Sequence, residues 1–269
     1  MLKNYLTIAL RNLGRSKAYS LINILGLTLG ISCCLLLALY VQDELGFDTH
    51  HARYKDVYRI TTHFDVPRYG NDKISTVSPP IATVSKNEIP EIEAAVRLFP
   101  QPTDLIRYED KMFYQDGGLI ADSTLFDVLT YTFIEGSPER ALTDPNTIVI
   151  TDRLAKKIFG DQPALNKILS ITQDSAAINF KVTGVIRDHL KTHFRPAYFI
   201  SIASEGSAFV MRSESLNTEW AGIQFVTAYV KLVSGHHQDA VIKKMNELLV
   251  RYGSDDMKAL GVTKKLGLQ

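Results

Sequence analysis

The residues of this chain able to catalyse or to bind are seven histidines, two cysteines, a close-set group of glutamates and one tryptophan. His50-His51 are adjacent and His189 and His193 are spaced i,i+4, arrangements that could hold a metal if helical. The segment before His189 reads as a strand ending in a loop, and Pro196 closely follows His193, so no shared helical face is expected there. His50-His51 read as loop residues, and His236-His237 as the solvated start of a helix. Glu88, Glu91 and Glu93 read as an exposed helix surface, and Trp220 as a packing residue. There is no Gly-x-Ser-x-Gly elbow, and both cysteines, Cys33 and Cys34, lie inside an apolar run, which leaves the rest without a thiol nucleophile. Gly117-Gly118 leads into Leu119 rather than Gly-Lys-Ser/Thr, so no phosphate cradle forms and ATP hydrolysis by the chain itself is excluded. These residues predict no enzyme, no cofactor and no metal.

The element that organises the chain is Tyr19 to Val41, 23 residues without a charge. As a helix it covers about 35 Å, enough for a hydrocarbon core of about 30 Å with some tilt. Lys3, Arg11, Arg15 and Lys17 precede it with no acid among them, and Asp43, Glu44 and Asp48 follow. Positive charge stays inside, so residues 1–18 are expected in the cytoplasm and 42–269 outside. A cleaved signal peptide has a shorter apolar region and a small-x-small cleavage site, whereas Ala38-Leu39-Tyr40 is a poor one. A lipoprotein signal is disfavoured as well, because Leu35 to Leu37 continue the apolar run after the cysteines.

Asn23, Gly26, Gly30 and Cys34 recur every three or four residues and share one stripe of this helix. Gly26-x-x-x-Gly30 lets a second backbone approach closely, and Asn23 can hydrogen-bond across such a contact. The stripe predicts membrane neighbours. Before the span, Leu2, Tyr5, Leu6, Ala9, Leu10 and Leu13 have helical spacing, which predicts an amphipathic helix over 1–18 lying in the inner membrane surface.

Beyond the span, 26 basic residues face 29 acidic ones, a net −3, too near neutrality to suggest nucleic acid. Without cysteines that part has no internal disulfide and depends on its own core. Val57–Thr61, Met112–Tyr114, Leu119–Ala121, Thr147–Ile150, Lys167–Thr172, Asn179–Ile186, Tyr198–Ile202 and Phe225–Leu232 read as strands. Pro67, Gly70 and Asn71 read as a loop, and Pro90–Val96 as a short helical or extended segment. Ser78-Pro79-Pro80 opens a helix, Thr151 or Asp152 caps another that Gly160 stops, and Gln238–Arg251 forms a last amphipathic one. The fold class is α+β: one N-terminal transmembrane helix followed by a two-lobed mixed α/β extracytoplasmic domain.

The first 51 residues resemble the N-terminus of MacB/FtsX-type ABC transporter permeases. Further matches follow in order: Val57-Tyr58-Arg59, Ser78-Pro79-Pro80, Ile89-Pro90-Glu91-Ile92-Glu93, Ala121 to Val128, Glu135 to Asn146, Thr151 to Gly160 and Val182 to Asp188. The resemblance implies a permease's first span with its periplasmic core domain, in a bacterial inner membrane. The implied partners are a cytoplasmic ABC ATPase subunit, a second permease copy, the lipid bilayer and three further spans, with no nucleic acid. Those spans are absent from this chain, which is therefore expected to be a fragment or a truncated product. The alternative is a membrane-anchored sensor, which needs a cytoplasmic output domain larger than 18 residues.

Overall fold

The structure, a computed structural model, describes all residues apart from 1–3, 6, 9, 10, 12–14, 45–50, 52, 67–69, 174, 175, 189–191, 193, 194 and 205–217. By internal contacts the chain divides into Met1–Phe47 and Asp48–Gln269. The first unit holds helix α1, Lys17–Glu44, which extends the uncharged run by two residues before it and three after. Its aliphatic side chains are all exposed, and Ser20 alone of its residues is buried. Asn4, Tyr5, Thr7, Ile8, Arg11 and Arg15 are also helical; the remainder of residues 1–14 lies outside the described residues.

The second unit is built on one linked sheet. Its strands are β1 (Val57–Val66), β2 (Gly70–Ile74), β3 (Ile92–Pro100), β4 (Asp104–Tyr108), β5 (Lys111–Gln115), β6 (Gly118–Ala121), β7 (Phe133–Gly136), β8 (Thr147–Thr151), β9 (Ile168–Gln173), β10 (Ala176–Ile186), β11 (Tyr198–Ser201), β12 (Thr227–Leu232) and β13 (Thr263–Leu268). The order across the sheet is β13-β1-β12-β3-β6-β11-β8-β10-β9-β4-β5, with β2 on β1 and β7 on β10. Only β8–β10 and β6–β11 pair in parallel among the described strands.

Strand side chains alternate between faces, so a strand buried on both sides reads as a nearly continuous apolar run. At the centre every residue of β8 and β11 is buried, with apolar interior positions and with the end residues Thr147, Thr151 and Ser201 each hydrogen-bonded. Ile148, Ile150, Tyr198 and Ile200 point into one core, and Val149 and Phe199 into the other. On the first face lie helices α2 (Pro80–Glu88), α4 (Asp152–Phe159) and α5 (Gln238–Leu260), contributing Ile81, Leu154, Ile158, Val241 and Met245. On the second lie the short helix α3 (Leu125–Val128) and the segment carrying Leu129, Tyr131 and Leu142. The mixed α/β domain expected from the sequence is present, and its two apolar cores are the two faces of one sheet.

Local signals explain the element ends. Pro80 occupies the first turn of α2, where its missing N–H costs nothing. The Thr151 hydroxyl accepts from the Leu154 N–H at 3.3 Å and caps α4, while Gly160, at φ 66°, ends it. The structure changes or completes four readings. Gly70 and Asn71 belong to β2 rather than a loop, because their backbone pairs with Val66 and Asp65; Pro67 lies outside the described residues. Residues 92–100 are extended, as β3. Helix α5 continues nine residues past Arg251, to Gly261 in a left-handed cap, and β13 then closes the sheet edge beside β1.

Candidate functional site

The predicted stripe lies on α1. At 100° per residue, Asn23, Gly26, Gly30 and Cys34 fall within an arc of about 80°. All four are exposed, and a Cβ built on Gly26 or Gly30 meets nothing within 4 Å among the described residues. The helix therefore presents a smooth, uncharged strip on which a neighbouring helix can lie close. Its length and composition suffice to cross a membrane.

The residues with catalytic chemistry do not assemble. His50, His189 and His193 lie outside the described residues. His51 is buried and its Nδ1 lies 2.9 Å from the Thr130 carbonyl, with Tyr131 edge-on to the ring, so it packs the domain instead of facing water in a loop. His236 and His237 are exposed. Glu88 ends α2, Glu91 sits in the following turn and Glu93 is on β3, and each holds a different base: Arg251 at 2.8 Å, Lys244, and Arg53 at 2.7 Å. The three carboxylates are therefore not one helix surface. Trp220 is buried and stacks on Tyr252, with ring centroids 5.1 Å apart, as expected of a packing residue. No cluster of three metal-ligating side chains occurs among the described residues.

Two polar constellations were not legible in the sequence. The first lies where the second unit's chain enters its sheet. Arg53, at φ 55° and ψ 33°, precedes a 3-10 turn, Tyr54–Asp56, that leads into β1. Its guanidinium donates to Asp56 at 2.9 Å, to Glu93 on β3 at 2.7 Å and to the Leu232 carbonyl on β12 at 3.0 Å. Bonding to Glu93, then to Asp56, raises the Arg53 pKa. Glu93 is held below the usual carboxylate range by Arg53 and then Lys231, and Asp56 by the Ser234 hydroxyl and then Arg53.

The second constellation is a buried corner between β13, α2 and α5. Lys264 Nζ donates to the Ser78 hydroxyl at 3.1 Å and to the Trp220 carbonyl. Ser78 Oγ itself donates to that carbonyl at 3.0 Å and accepts from Gln224 Nε2 at 2.7 Å. Burial pushes the Lys264 amine down to about 8, against the opposing pull of Glu219 and Asp256. A serine beside a lysine of lowered pKa has the composition of a nucleophilic dyad. Here Ser78 is 0% exposed and its proton is committed to Trp220, so the pair is structural.

Residues 20–248 match the model of the MacB-like periplasmic core domain. The chain belongs to this family. Among solved structures, a domain ascribed to a permease of Porphyromonas gingivalis has a TM-score of 0.70 at 24% identity, covering 81% of this chain and 91% of that one. The periplasmic region of MacB from Actinobacillus actinomycetemcomitans superposes with a TM-score of 0.54 at 14% identity, over 83% and 90% of the two chains. The extracellular domain of the ABC-type transporter YknZ from Gram-positive bacteria gives 0.53 at 13%, over 79% and 99%. These likenesses establish a shared MacB-like fold for the second unit. No curated protein matches the chain.

Proposed function

We propose that this MacB-like chain is the N-terminal part of an ABC-transporter permease. Its first helix crosses the bacterial inner membrane and carries motion from a separate cytoplasmic ATPase to the periplasmic sheet domain, for export or for work on the envelope. The observation that carries this reading is the extent of the family match: it begins at residue 20, inside the apolar helix, and continues through the domain, so helix and domain belong to one family unit. A helix satisfies its backbone hydrogen bonds internally and can move through lipid as a rigid rod. The stripe of Asn23, Gly26, Gly30 and Cys34 then seats it against other spans of the permease or of a second copy.

Orientation is tested by a membrane-impermeant maleimide on spheroplasts bearing Asp255→Cys, whose native side chain is 96% exposed. Labelling without lysis is expected, and labelling only after lysis overturns the topology. The stripe is tested in the complete permease. Gly26→Leu or Gly30→Leu is expected to abolish co-purification of the co-encoded ATPase or the second copy while the domain stays folded, and normal transport by both variants refutes the packing role. The sensor alternative predicts saturable binding of a small ligand to the outer domain.

A further inference from the structure

The entry of the chain into the sheet is fastened more heavily than its local structure requires. Arg53 holds a left-handed backbone conformation that glycine adopts freely and L-residues adopt at a cost. Strain of this kind persists where surrounding contacts impose it, and here the contacts are made by the side chain. Each guanidinium nitrogen serves a different element: Nε the 3-10 turn at Asp56, and the two terminal nitrogens Glu93 on β3 and the Leu232 carbonyl on β12. A second set of bonds backs the first. The other Glu93 oxygen takes Lys231 Nζ at 3.1 Å, Lys231 also reaches the Asp127 carbonyl at 3.0 Å, and Ser234 Oγ donates to Asp56 at 2.8 Å. Two residues upstream, buried His51 is bonded to Thr130, and its carbonyl accepts from the Tyr54 N–H at 3.2 Å.

The ladder behind this joint is short. Only Val57, Tyr58 and Arg59 of β1 face β12, opposite Lys231, Val230 and Tyr229. A load arriving along the chain would enter that ladder at its terminal pair and open it one bond at a time. With the guanidinium in place, the same load reaches the turn, β3 and β12 together. We propose that Arg53 is the joint that makes the Tyr54–Asp56 turn and the sheet move as one body, delivering displacement that arrives along the chain to β1, β3 and β12. A planar fork with several fixed donors suits the task, whereas the single ammonium of lysine cannot meet three acceptors in different directions. The biological meaning of the joint rests on the motion-transmission reading; its mechanical action does not.

The test uses the full chain in lipid nanodiscs, with pulling handles at Asp43→Cys and at the exposed Asp161→Cys beyond the central strand β8, in a Cys33→Ser, Cys34→Ser background. With Arg53 intact, the domain is expected to open in one cooperative event. Arg53→Ala, Arg53→Lys and Arg53→Gly are each expected to add an earlier event of about 30 Å, the extended length of residues 51–59. Arg53→Gly separates the side chain from the backbone, because it keeps the left-handed conformation without the clamp. Hydrogen exchange at Val57 and Tyr58 is expected to quicken about tenfold in the same variants, with β8 and β11 unchanged as the record of an intact fold. A single event at the original force in Arg53→Ala and Arg53→Lys, or an early event already present with Arg53, overturns the proposal. No ATPase is present in this measurement, so failure of the joint is distinct from failure of the transport reading, which the orientation and co-purification tests decide.

Discussion

The centre of the sheet and the corner around Lys264 are equally dry and are held by opposite means. At the centre, β8 and β11 fill the two cores with their apolar interior positions, and their polar side chains, Thr147, Thr151, Tyr198 and Ser201, stand at the strand ends, each hydrogen-bonded, so stability there depends chiefly on filled volume. At the corner, an amine, a hydroxyl, an amide and a main-chain carbonyl are enclosed together, and each is tolerated because the others bond to it. The same degree of burial therefore predicts different sensitivities. The centre should respond to lost volume at any pH, and the corner to protonation at nearly constant volume.

The largest expected effect is at the centre. Phe199 is fully buried and meets Tyr131 and Phe126 edge-on, with ring centroids 5.5 and 6.2 Å away. Phe199→Ala should cost about 4 kcal/mol, the usual scale for an aromatic removed from a packed core, read as a lower urea midpoint at unchanged slope. A cost below about 1 kcal/mol would show that the second face is loosely packed and would dissolve the contrast.

At the corner the sign follows from proton linkage. The Lys264 pKa is depressed in the fold, from 10.5 to about 8. Below pH 8 the amine is protonated folded or unfolded, and the folded state bears the full penalty of burying it. Between about pH 8 and 10.5 the unfolded chain binds more protons, so this residue's contribution raises stability as pH increases, by about 3 kcal/mol in total. Lys264→Met removes the charge while nearly conserving the stem. It should flatten that rise, measured as urea stability against pH, and at pH 7 should be no less stable than the parent despite the lost hydrogen bonds. A rise left unchanged by Lys264→Met would assign the pH dependence to other groups.

The same contrast explains what could be read from the sequence. Strand β8 was visible because Thr147–Ile150 is a β-branched run, and α4 because its cap and stop flank it at the right spacing. Strand β13 was not, since its inward positions are Lys264 and Leu266, and a lysine on the buried side breaks the alternation that marks a strand. The amphipathic pattern of the sequence ends helix α5 at Arg251, just before Gly253. That glycine is a packing notch instead of a stop: a Cβ there would come within 2.9 Å of the Trp220 Cβ. The Arg53 joint joins residues 40 and 179 positions apart, and no local pattern encodes it. The stripe on α1 was legible because a helix fixes its own periodicity without tertiary help.

The smallest effect belongs to Thr151, the polar end of β8 at which the strand gives way to α4. It is buried, closes the strand, and its hydroxyl accepts the Leu154 N–H, one of the donors that a helix start leaves unpaired. Thr151→Val keeps the shape and removes the acceptor, and should cost about 1 kcal/mol, the ordinary loss of an N-cap. Thr151→Ser keeps the acceptor and removes one methyl, and should cost less than Thr151→Val if the hydrogen bond dominates. The reverse order, read in the same urea titrations, would mean that volume governs even the polar end of the strand and that the centre obeys a single rule throughout. The expected order instead places the change of rule at a residue boundary, where β8 stops being packed and α4 starts being capped.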